Sequence, residues 1–448
     1  MTVREPLSRR LARAVLEPDL ALPEAASDKL KICLLDLFAC ALEARDLPWS
    51  RQAAKLASGA AGPANVIGTA IATTIPQAAF ANATAGHGLV REDMHAGSVS
   101  HLGVVVLPVL LALAQRERVS GRAFIDAAVV GYEVGARIGR ALVTPDFARL
   151  FRPTGFTGPL AAAAAGSRLL GLSESACASA LSLAANTVSG LNEWPRSGGA
   201  EMFFHPAFAA RNAIAAVELA EAGAEASPDA LDGEAGLFAA FRPGRPAPEV
   251  ALFAGPAPEL LAVYNKPVPA CNFAQTPCQA ALALLGEGAI KPADIRAIRV
   301  AASRAAIVYP GCDHAGPFER VLQAKMSIQF CVASALLYGR MEEANYRLLD
   351  DPELLRLTRA TQLIIDADFT AAFPGAQGSA VEVELDDGRV LKSRLADVVP
   401  ASPERVRARF RAAAAAALGT DKASAIERFV DRLEEAPSVG ELPPLTAL

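Results

Sequence analysis

The chain has 448 residues, which is too long for one ordinary hydrophobic core and predicts two domains. Hydrophobic residues make up 52% of it and charged residues 20%, so a large interior can form and extensive intrinsic disorder is excluded. The net charge is −5, with both signs interspersed, which argues against a nucleic-acid-binding protein because such proteins carry a basic face.

The charged N-terminus and the short apolar runs predict a cytoplasmic protein that does not enter a membrane. Residues 1–17 carry charges throughout and lack the apolar centre of a signal peptide. The longest apolar run, residues 104–114, is too short to span a bilayer and contains a proline. The seven cysteines form no CxxC pair, and an odd number without framework spacing fits a reducing compartment.

Residues 1–245 alternate stretches of helical periodicity with short glycine or proline breaks. Several of the stretches are apolar on nearly every side, which places them inside a large helical domain. Ser173 is a candidate N-cap for one of them. The predicted helices include the ranges 27–44, 122–143, 172–191 and 207–223, with the last beginning near His205.

The pattern changes after about residue 265, where strand-like alternation first occurs. Asp387 and Gly388 form a predicted hairpin turn within one alternating segment. The predicted helices are 274–288, 319–339, 402–419 and 423–436, and the predicted strand segments are 295–303 and 379–396.

The order of these elements predicts an α+β fold class that is mostly α. Residues 1–265 and 400–448 form a large, discontinuous all-helical domain in this prediction. Residues 266–399 form a smaller α+β lid domain that is inserted into it. The last helices then rejoin the first ones.

The common cofactor and catalytic motifs are missing from the sequence. It contains no GxxxxGK[ST] phosphate loop, no GxGxxG between a strand and a helix, no HExxH and no GxSxG. We therefore predict no cofactor. Asp93, His95 and His101 are possible zinc ligands, but their spacing matches none of the usual sets, so no metal is predicted either.

The densest group of titratable residues lies in the segment 86–108, between two apolar stretches. A polar loop on a buried scaffold is a place where acid–base residues are expected, although a solvated surface turn has the same composition. The residues concerned are Arg91, Glu92, Asp93, His95 and His101.

Two further features are candidate parts of a site. Arg152 precedes a proline and leads into an alanine-rich helix whose N-terminus can receive an anion, but a lone arginine there is commonly just exposed. Lys266 lies among prolines at the predicted domain junction, where pockets form and partial desolvation lowers a lysine pKa. The alternative is a surface lysine in a rigid linker.

An ordered series of segments resembles successive landmarks of the MmgE/PrpD family, which contains 2-methylcitrate dehydratase, cis-aconitate decarboxylase and iminodisuccinate epimerase. No single segment is specific, but the series follows the family order over nearly the whole chain. The segments are LLDLFACALEA (34–44), IGTAIATTIPQAAFANATAGHGL (67–89), HLGVVVLPVLLALAQ (101–115), FRPTGFTGPLAAAAAGSRLLGL (151–172), HPAFAARNAIAAVELA (205–220), ALDGEAGLFAAF (230–241), KPVPAC (266–271) and AKMSIQF (324–330).

The resemblance implies a cofactor-independent homodimer with a large all-α domain and an α+β lid, acting on a small carboxylic acid. Carried over position by position, it implies that Lys266, His101 and Asp93 are catalytic. It also implies that His205 binds the substrate, and we add His95 of the acidic loop to the predicted substrate-binding residues.

Several positions depart from the family pattern. The family commonly has H-A-L-D-x-D-D in the acidic loop, whereas this chain has H-G-L-V-R-E-D over 87–93, with Val90 in place of an acid and Arg91 gained. Arg152, Met202 and Cys271 replace a common histidine, lysine and histidine, respectively. We include Arg91, Arg152, Met202 and Cys271 among the predicted substrate-binding residues.

These exchanges disfavour the dehydration and decarboxylation that are typical of the family. Arg152 and Arg91 can still hold carboxylates, while Lys266 and His101 can remove and return a proton next to one. We therefore predict an epimerase of an iminodisuccinate-like dicarboxylic acid. The alternatives are a dehydratase of a 2-methylcitrate-like acid, a decarboxylase of a cis-aconitate-like tricarboxylic acid, and a non-catalytic member that binds a carboxylate.

Overall fold

The computed structural model describes residues 4–18, 20–286 and 290–448. Helices dominate these ranges, and the strands form one four-stranded sheet and two short pairs. The predicted fold class, α+β and mostly α, is confirmed. No helix in these ranges is both long enough and apolar enough to cross a bilayer.

The N-terminal part is built from helices joined by short loops. Two pairs of two-residue strands lie among them, β1 with β2 and β3 with β4. The elements are α1 (Leu7–Val15), α2 (Glu24–Ala44), α3 (Pro48–Ala57), β1 (Ala64–Asn65), β2 (Ala72–Thr73), α4 (Ile75–His87), β3 (Met94–His95), α5 (Gly103–Leu113), α6 (Gly121–Leu142), α7 (Pro145–Leu150), α8 (Pro153–Leu169), α9 (Glu174–Ala185), α10 (Trp194–Ser197), α11 (Glu201–Glu221), α12 (Leu237–Phe241) and β4 (Val263–Tyr264).

Helix α5 is the centre of this part, and every one of its residues is buried. A helix that is apolar on all sides must be surrounded by other helices, and α4, α6, α8 and α11 all pack against it. The loop from residue 88 to residue 102 joins α4 to α5 and is itself almost entirely buried. Its many polar groups therefore have to find partners inside the protein.

The C-terminal part contains the larger sheet and the last helices. The sheet order is β6-β5-β7-β8, with β5 parallel to β6 and antiparallel to β7. The elements are α13 (Gln275–Gly286), β5 (Ile295–Ala302), α14 (Arg304–Val308), α15 (Val321–Met326), α16 (Ile328–Tyr338), α17 (Pro352–Arg359), β6 (Thr361–Ile365), α18 (Ala367–Ala372), β7 (Ser379–Leu385), β8 (Val390–Leu395), α19 (Pro403–Leu418), α20 (Thr420–Asp431) and α21 (Leu442–Leu445).

Helices α19 and α20 return to the N-terminal part and pack against α2. The division at residues 265 and 400 stays a prediction, because the hydrophobic cores do not stop there. The core around α13, α16 and the sheet also includes Trp49, Trp194, Met202 and Phe203 from the helical part. The segment 266–399 thus shares a continuous apolar interface with its neighbours.

Individual elements differ from the sequence predictions in ways that have local causes. Strand β5, the hairpin of β7 and β8, and the Ser173 cap of α9 are confirmed. The predicted helix 319–339 is broken at Ser327, whose hydroxyl caps α16 by accepting from the amide of Phe330. Strand β6 was missed. The last two residues of the predicted helix 274–288 lie outside the described residues.

The close contact between α6 and α8 generates a stability prediction. A Cβ atom at Gly131 on α6 would lie 2.9 Å from Cβ of Ala165 and 3.0 Å from the carbonyl oxygen of Ala161 on α8. Gly131→Ala should therefore push the helices apart and destabilise the protein by about 1–3 kcal/mol, measured by urea denaturation. Gly286→Ala, at the end of α13 with no atom of the described neighbours within 4 Å of the added Cβ, is the matched control. Equal stability of the two variants would contradict this packing.

Candidate functional site

A buried cavity lies where the loop 88–102 meets the first residues of α8 and α11 and the turn after Lys266. The volume open to the centre of a water molecule is about 20 Å³, and the space between atoms, counted together with open solvent, is about 360 Å³. Four predicted site residues line it: His101, Arg152, Met202 and Cys271. The other lining side chains are mainly apolar and comprise Val90, Met94, Val99, Trp194, Asn272, Phe273, Tyr309 and Met326.

His101 is held in one tautomer by the loop that carries it. Its Nδ1 lies 3.0 Å from the carbonyl oxygen of Asp93 and 2.9 Å from Oε1 of Glu92. Because a carbonyl oxygen can only accept, Nδ1 carries the hydrogen and Nε2 keeps its lone pair. Burial lowers the pKa of His101 to about 3, so the side chain is a neutral imidazole at pH 7. A neutral imidazole with a free nitrogen at a cavity can exchange protons with a ligand.

Glu92 is the acid at the centre of the site, although the sequence pattern pointed to the adjacent Asp93. Its Oε1 accepts from Nδ1 of His87 and from Nδ1 of His101. Burial alone would raise the pKa of Glu92, but the two imidazoles outweigh it and hold the pKa well below its usual range. Its Oε2 is buried without a hydrogen-bond partner among the described residues. Glu92 is therefore an ionised carboxylate that orients two histidines.

Arg152 is connected to Glu92 through His87. Its Nη2 lies 3.2 Å from Nε2 of His87, and an arginine can only donate. The guanidinium also lies 5.6 Å from the centre of the Trp194 ring. Although Arg152 is only 7% exposed, its Nε has no hydrogen-bond partner within the described ranges. A buried, partly unpaired guanidinium that lines a cavity is suited to binding a carboxylate.

Lys266 is fully buried behind the cavity wall. Its Nζ donates to the carbonyl oxygen of Val90 at 2.5 Å. Burial lowers the pKa of Lys266 to about 8, and the negative charge of Glu92 opposes that effect. The positive charge of Lys266 contributes in turn to the low pKa of His101. Lys266 thus belongs to the same electrostatic network as Glu92 and His101, without lining the cavity.

Three other predicted substrate-binding residues lie near Arg152. Sδ of Met202 is 2.9 Å from Nε2 of His87 and 3.8 Å from Nη2 of Arg152. Sγ of Cys271 is 3.7 Å from Sγ of Cys312, and the hydrogen bond between these thiols lowers the pKa of Cys271 to about 7. His205 is buried and does not line the cavity. Burial lowers its pKa to about 3, and the charge of Arg152 adds to the effect.

Three further predicted site residues do not line this cavity, and their side chains bind other partners. Arg91 binds Glu43 at 2.7 Å. The ring of His95 is held between Ser98 and Glu259. The carboxylate of Asp93 accepts from the hydroxyl of Tyr132 at 2.5 Å. The sequence pattern does not show these directions, because Val90 has a φ of 57° and turns the chain within the loop.

His87, Glu92 and His101 are also the described residues that best satisfy the requirements of a metal site. One possible ligand atom from each lies within 4.8 Å of the others. The hydrogen bonds from the two Nδ1 atoms to Glu92 account for this short separation without an ion. The nearby charges of Arg152 and Lys266 would repel a cation. A hydrogen-bonded cluster therefore describes these three residues better than a metal site does.

Sequence reasoning missed Glu92, His87 and Trp194 as parts of the site. One sequence feature could have indicated His87 and Glu92: they lie five residues apart, His87 at the end of α4 and Glu92 in the loop that follows. No sequence feature indicated Trp194, because this residue comes to the cavity only when α10 packs against α15.

Comparison with known proteins shows the family of the chain. The sequence profile of the MmgE/PrpD N-terminal domain matches residues 9–249, and that of the MmgE/PrpD C-terminal domain matches residues 268–435. The chain therefore belongs to the MmgE/PrpD family, as its ordered segments indicated.

Three named relatives illustrate the similarity. The cis-aconitate decarboxylase-like protein oryM of Aspergillus oryzae is 28% identical, over 94% of this chain and 93% of its own. A cis-aconitate decarboxylase of Aspergillus terreus is 26% identical, over 94% and 92%. The human cis-aconitate decarboxylase is 27% identical, over 80% and 76%. These relatives are named as enzymes.

The environment of Asp93 generates a prediction about stability and pH. Burial raises the pKa of Asp93 to about 7, so the folded protein keeps this proton where the unfolded chain loses it, above about pH 4. The wild type should therefore lose stability from about pH 4 to pH 7, whereas Asp93→Asn, which cannot ionise, should not incur this loss. Urea denaturation at pH 5 and pH 8 should show the advantage of the variant growing with pH. Parallel curves for the two proteins would contradict the buried, protonated state.

Proposed function

We propose that the protein is a cofactor-independent decarboxylase of a small unsaturated carboxylic acid. Two of the relatives described above are named cis-aconitate decarboxylases and the third a cis-aconitate decarboxylase-like protein, which supports the decarboxylase alternative over the predicted iminodisuccinate-type epimerase. The observation that carries the proposal is the combination of Arg152, His101 and apolar walls in one buried cavity. The predicted homodimer and cytoplasmic location remain proposals.

Arg152 anchors one carboxylate of the substrate in this mechanism. The guanidinium presents unpaired donor capacity, and its contacts with His87 and Trp194 fix its orientation. A second carboxylate then faces apolar side chains. An ionised carboxylate loses its hydration in these apolar surroundings, which costs free energy, whereas neutral CO₂ does not incur this cost. The apolar surroundings therefore favour the loss of this carboxylate as CO₂.

The reaction balances without an external oxidant or reductant. The bond between carbon and the departing carboxylate breaks, CO₂ leaves, and the electron pair is delocalised through the double bond towards the carboxylate held by Arg152. A proton then adds to carbon. His101 delivers it, because the negative charges of the bound substrate favour the protonated imidazole.

Glu92 and Lys266 support this proton transfer from behind His101. Glu92 fixes the tautomer of the imidazole and stabilises its positive charge. Lys266, with a pKa of about 8, is largely protonated at pH 7 and supplies a proton to the network.

The direct test is the fate of unsaturated di- and tricarboxylic acids incubated with the protein in D₂O. We expect CO₂ release with one deuterium introduced on carbon, followed by NMR. His101→Gln should lower kcat by about 100-fold or more, because the proton donor is lost. Arg152→Met should raise KM by at least about tenfold, whereas Arg149→Met, an exposed neighbour on α7, should leave KM unchanged. Deuterium exchange without CO₂ release would indicate an epimerase, and loss of water would indicate a dehydratase.

The pKa of Lys266 predicts the alkaline limit of the reaction. Since the protonated amine is the required form, kcat should fall as pH rises through about 8. Lys266→Arg keeps the charge at higher pH, so the remaining activity of this variant should lack that decline. A pH–kcat profile of the two proteins between pH 6 and 10 checks this, and a decline shared by both would remove Lys266 from the proton transfer.

A further inference from the structure

Four of the positions at which this chain departs from the family pattern meet in one place, whereas a fifth, Arg91, pairs with Glu43 elsewhere. Val90 replaces an acid, Met202 replaces a lysine, and Arg152 and Cys271 replace histidines. All four line the cavity beside His101. The exchanges therefore change the surface that a substrate touches, rather than remote parts of the fold.

The fixed charge of the cavity wall is small. Among the described residues that line it, Arg152 is the only lysine, arginine, aspartate or glutamate. His101 is neutral in the free protein, and the amine of Lys266 is engaged by the carbonyl oxygen of Val90 behind the wall. One guanidinium can pair with one carboxylate in a bidentate manner.

The rest of the wall is mainly apolar. Met202 lies next to Arg152, and Met94, Met326, Trp194 and Phe273 are among the other lining residues. The polar ends of Asn272 and Tyr309 are hydrogen-bonded to other side chains. An ionised carboxylate placed against such side chains loses its hydration without gaining a partner, which is costly. A hydrocarbon group in the same position gains from burial, and methionine side chains adapt to its shape.

We propose that the substrate is an unsaturated dicarboxylic acid bearing a hydrocarbon substituent, rather than a tricarboxylic acid. Arg152 holds one carboxylate, the other is the one lost as CO₂, and the substituent packs against Met202 and the neighbouring methionines. The inference rests on the proposed function only in naming the carboxylate that leaves as CO₂. The number of carboxylates that the substrate carries is inferred from the cavity alone.

Two acids with the same five-carbon dicarboxylate backbone test directly how many carboxylates the cavity accepts. cis-Aconitate carries a third carboxylate on the central carbon, and 3-propylglutaconate carries a propyl group there. Isothermal titration of each acid into the wild-type protein should show 3-propylglutaconate binding at least tenfold more tightly. Equal binding, tighter binding of cis-aconitate, or no binding of either acid would overturn the inference.

Met202 provides a second test through substitution. Met202→Lys places a cation in the apolar wall and should shift the preference towards cis-aconitate by tenfold or more, whereas Met202→Leu should keep the wild-type preference. A Met202→Lys protein that is folded by circular dichroism and keeps the wild-type preference would contradict the inference. If that variant does not fold, the wild-type titrations decide.

The binding measurement is separate from the chemistry. Tighter binding of 3-propylglutaconate without CO₂ release from it would support the substrate class and reject the decarboxylase. CO₂ release from cis-aconitate together with its tighter binding would support the decarboxylase and reject the substrate class.

Discussion

The site depends on one buried carboxylate that accepts hydrogen bonds from two imidazoles. Glu92 fixes the tautomers of His87 and His101, and His87 in turn orients Arg152. A buried carboxylate with these partners must stay ionised, because protonation would remove an acceptor that both rings need. The anion-binding and proton-handling groups are thereby set by a single side chain that does not itself line the cavity.

Much of the fold could be predicted from the sequence, because its signals are local. The apolar run of α5, the alternation of β5 and the Asp387-Gly388 hairpin all specify their own structure. Strand β6 could not be recognised, since four of its five residues are exposed or half-buried without clean alternation, and it exists by pairing in parallel with β5. Its stability is a property of the assembled sheet.

The site was predictable in location but not in detail. His101, Arg152, Met202 and Cys271 line the cavity, whereas Asp93 turns towards Tyr132. Which of the two adjacent acids meets His87 and His101 depends on a left-handed residue that no periodicity shows. The choice of reaction depends on such details too. The predicted epimerase uses Arg91 as a second carboxylate ligand, and the pairing of Arg91 with Glu43 removes one reason for preferring it.

Two lysines from the C-terminal half reach into the loop that carries Glu92. Lys266 donates to the carbonyl oxygen of Val90, and Lys325 donates to that of Leu89. These contacts join residues 176 and 236 positions apart in the chain. During synthesis the first helices emerge long before either lysine does. The loop therefore cannot form these two hydrogen bonds until the C-terminal half has been made. The arrangement around Glu92 is thus a late product of folding, and a chain that stops before residue 325 would lack one of the contacts that hold this loop in place.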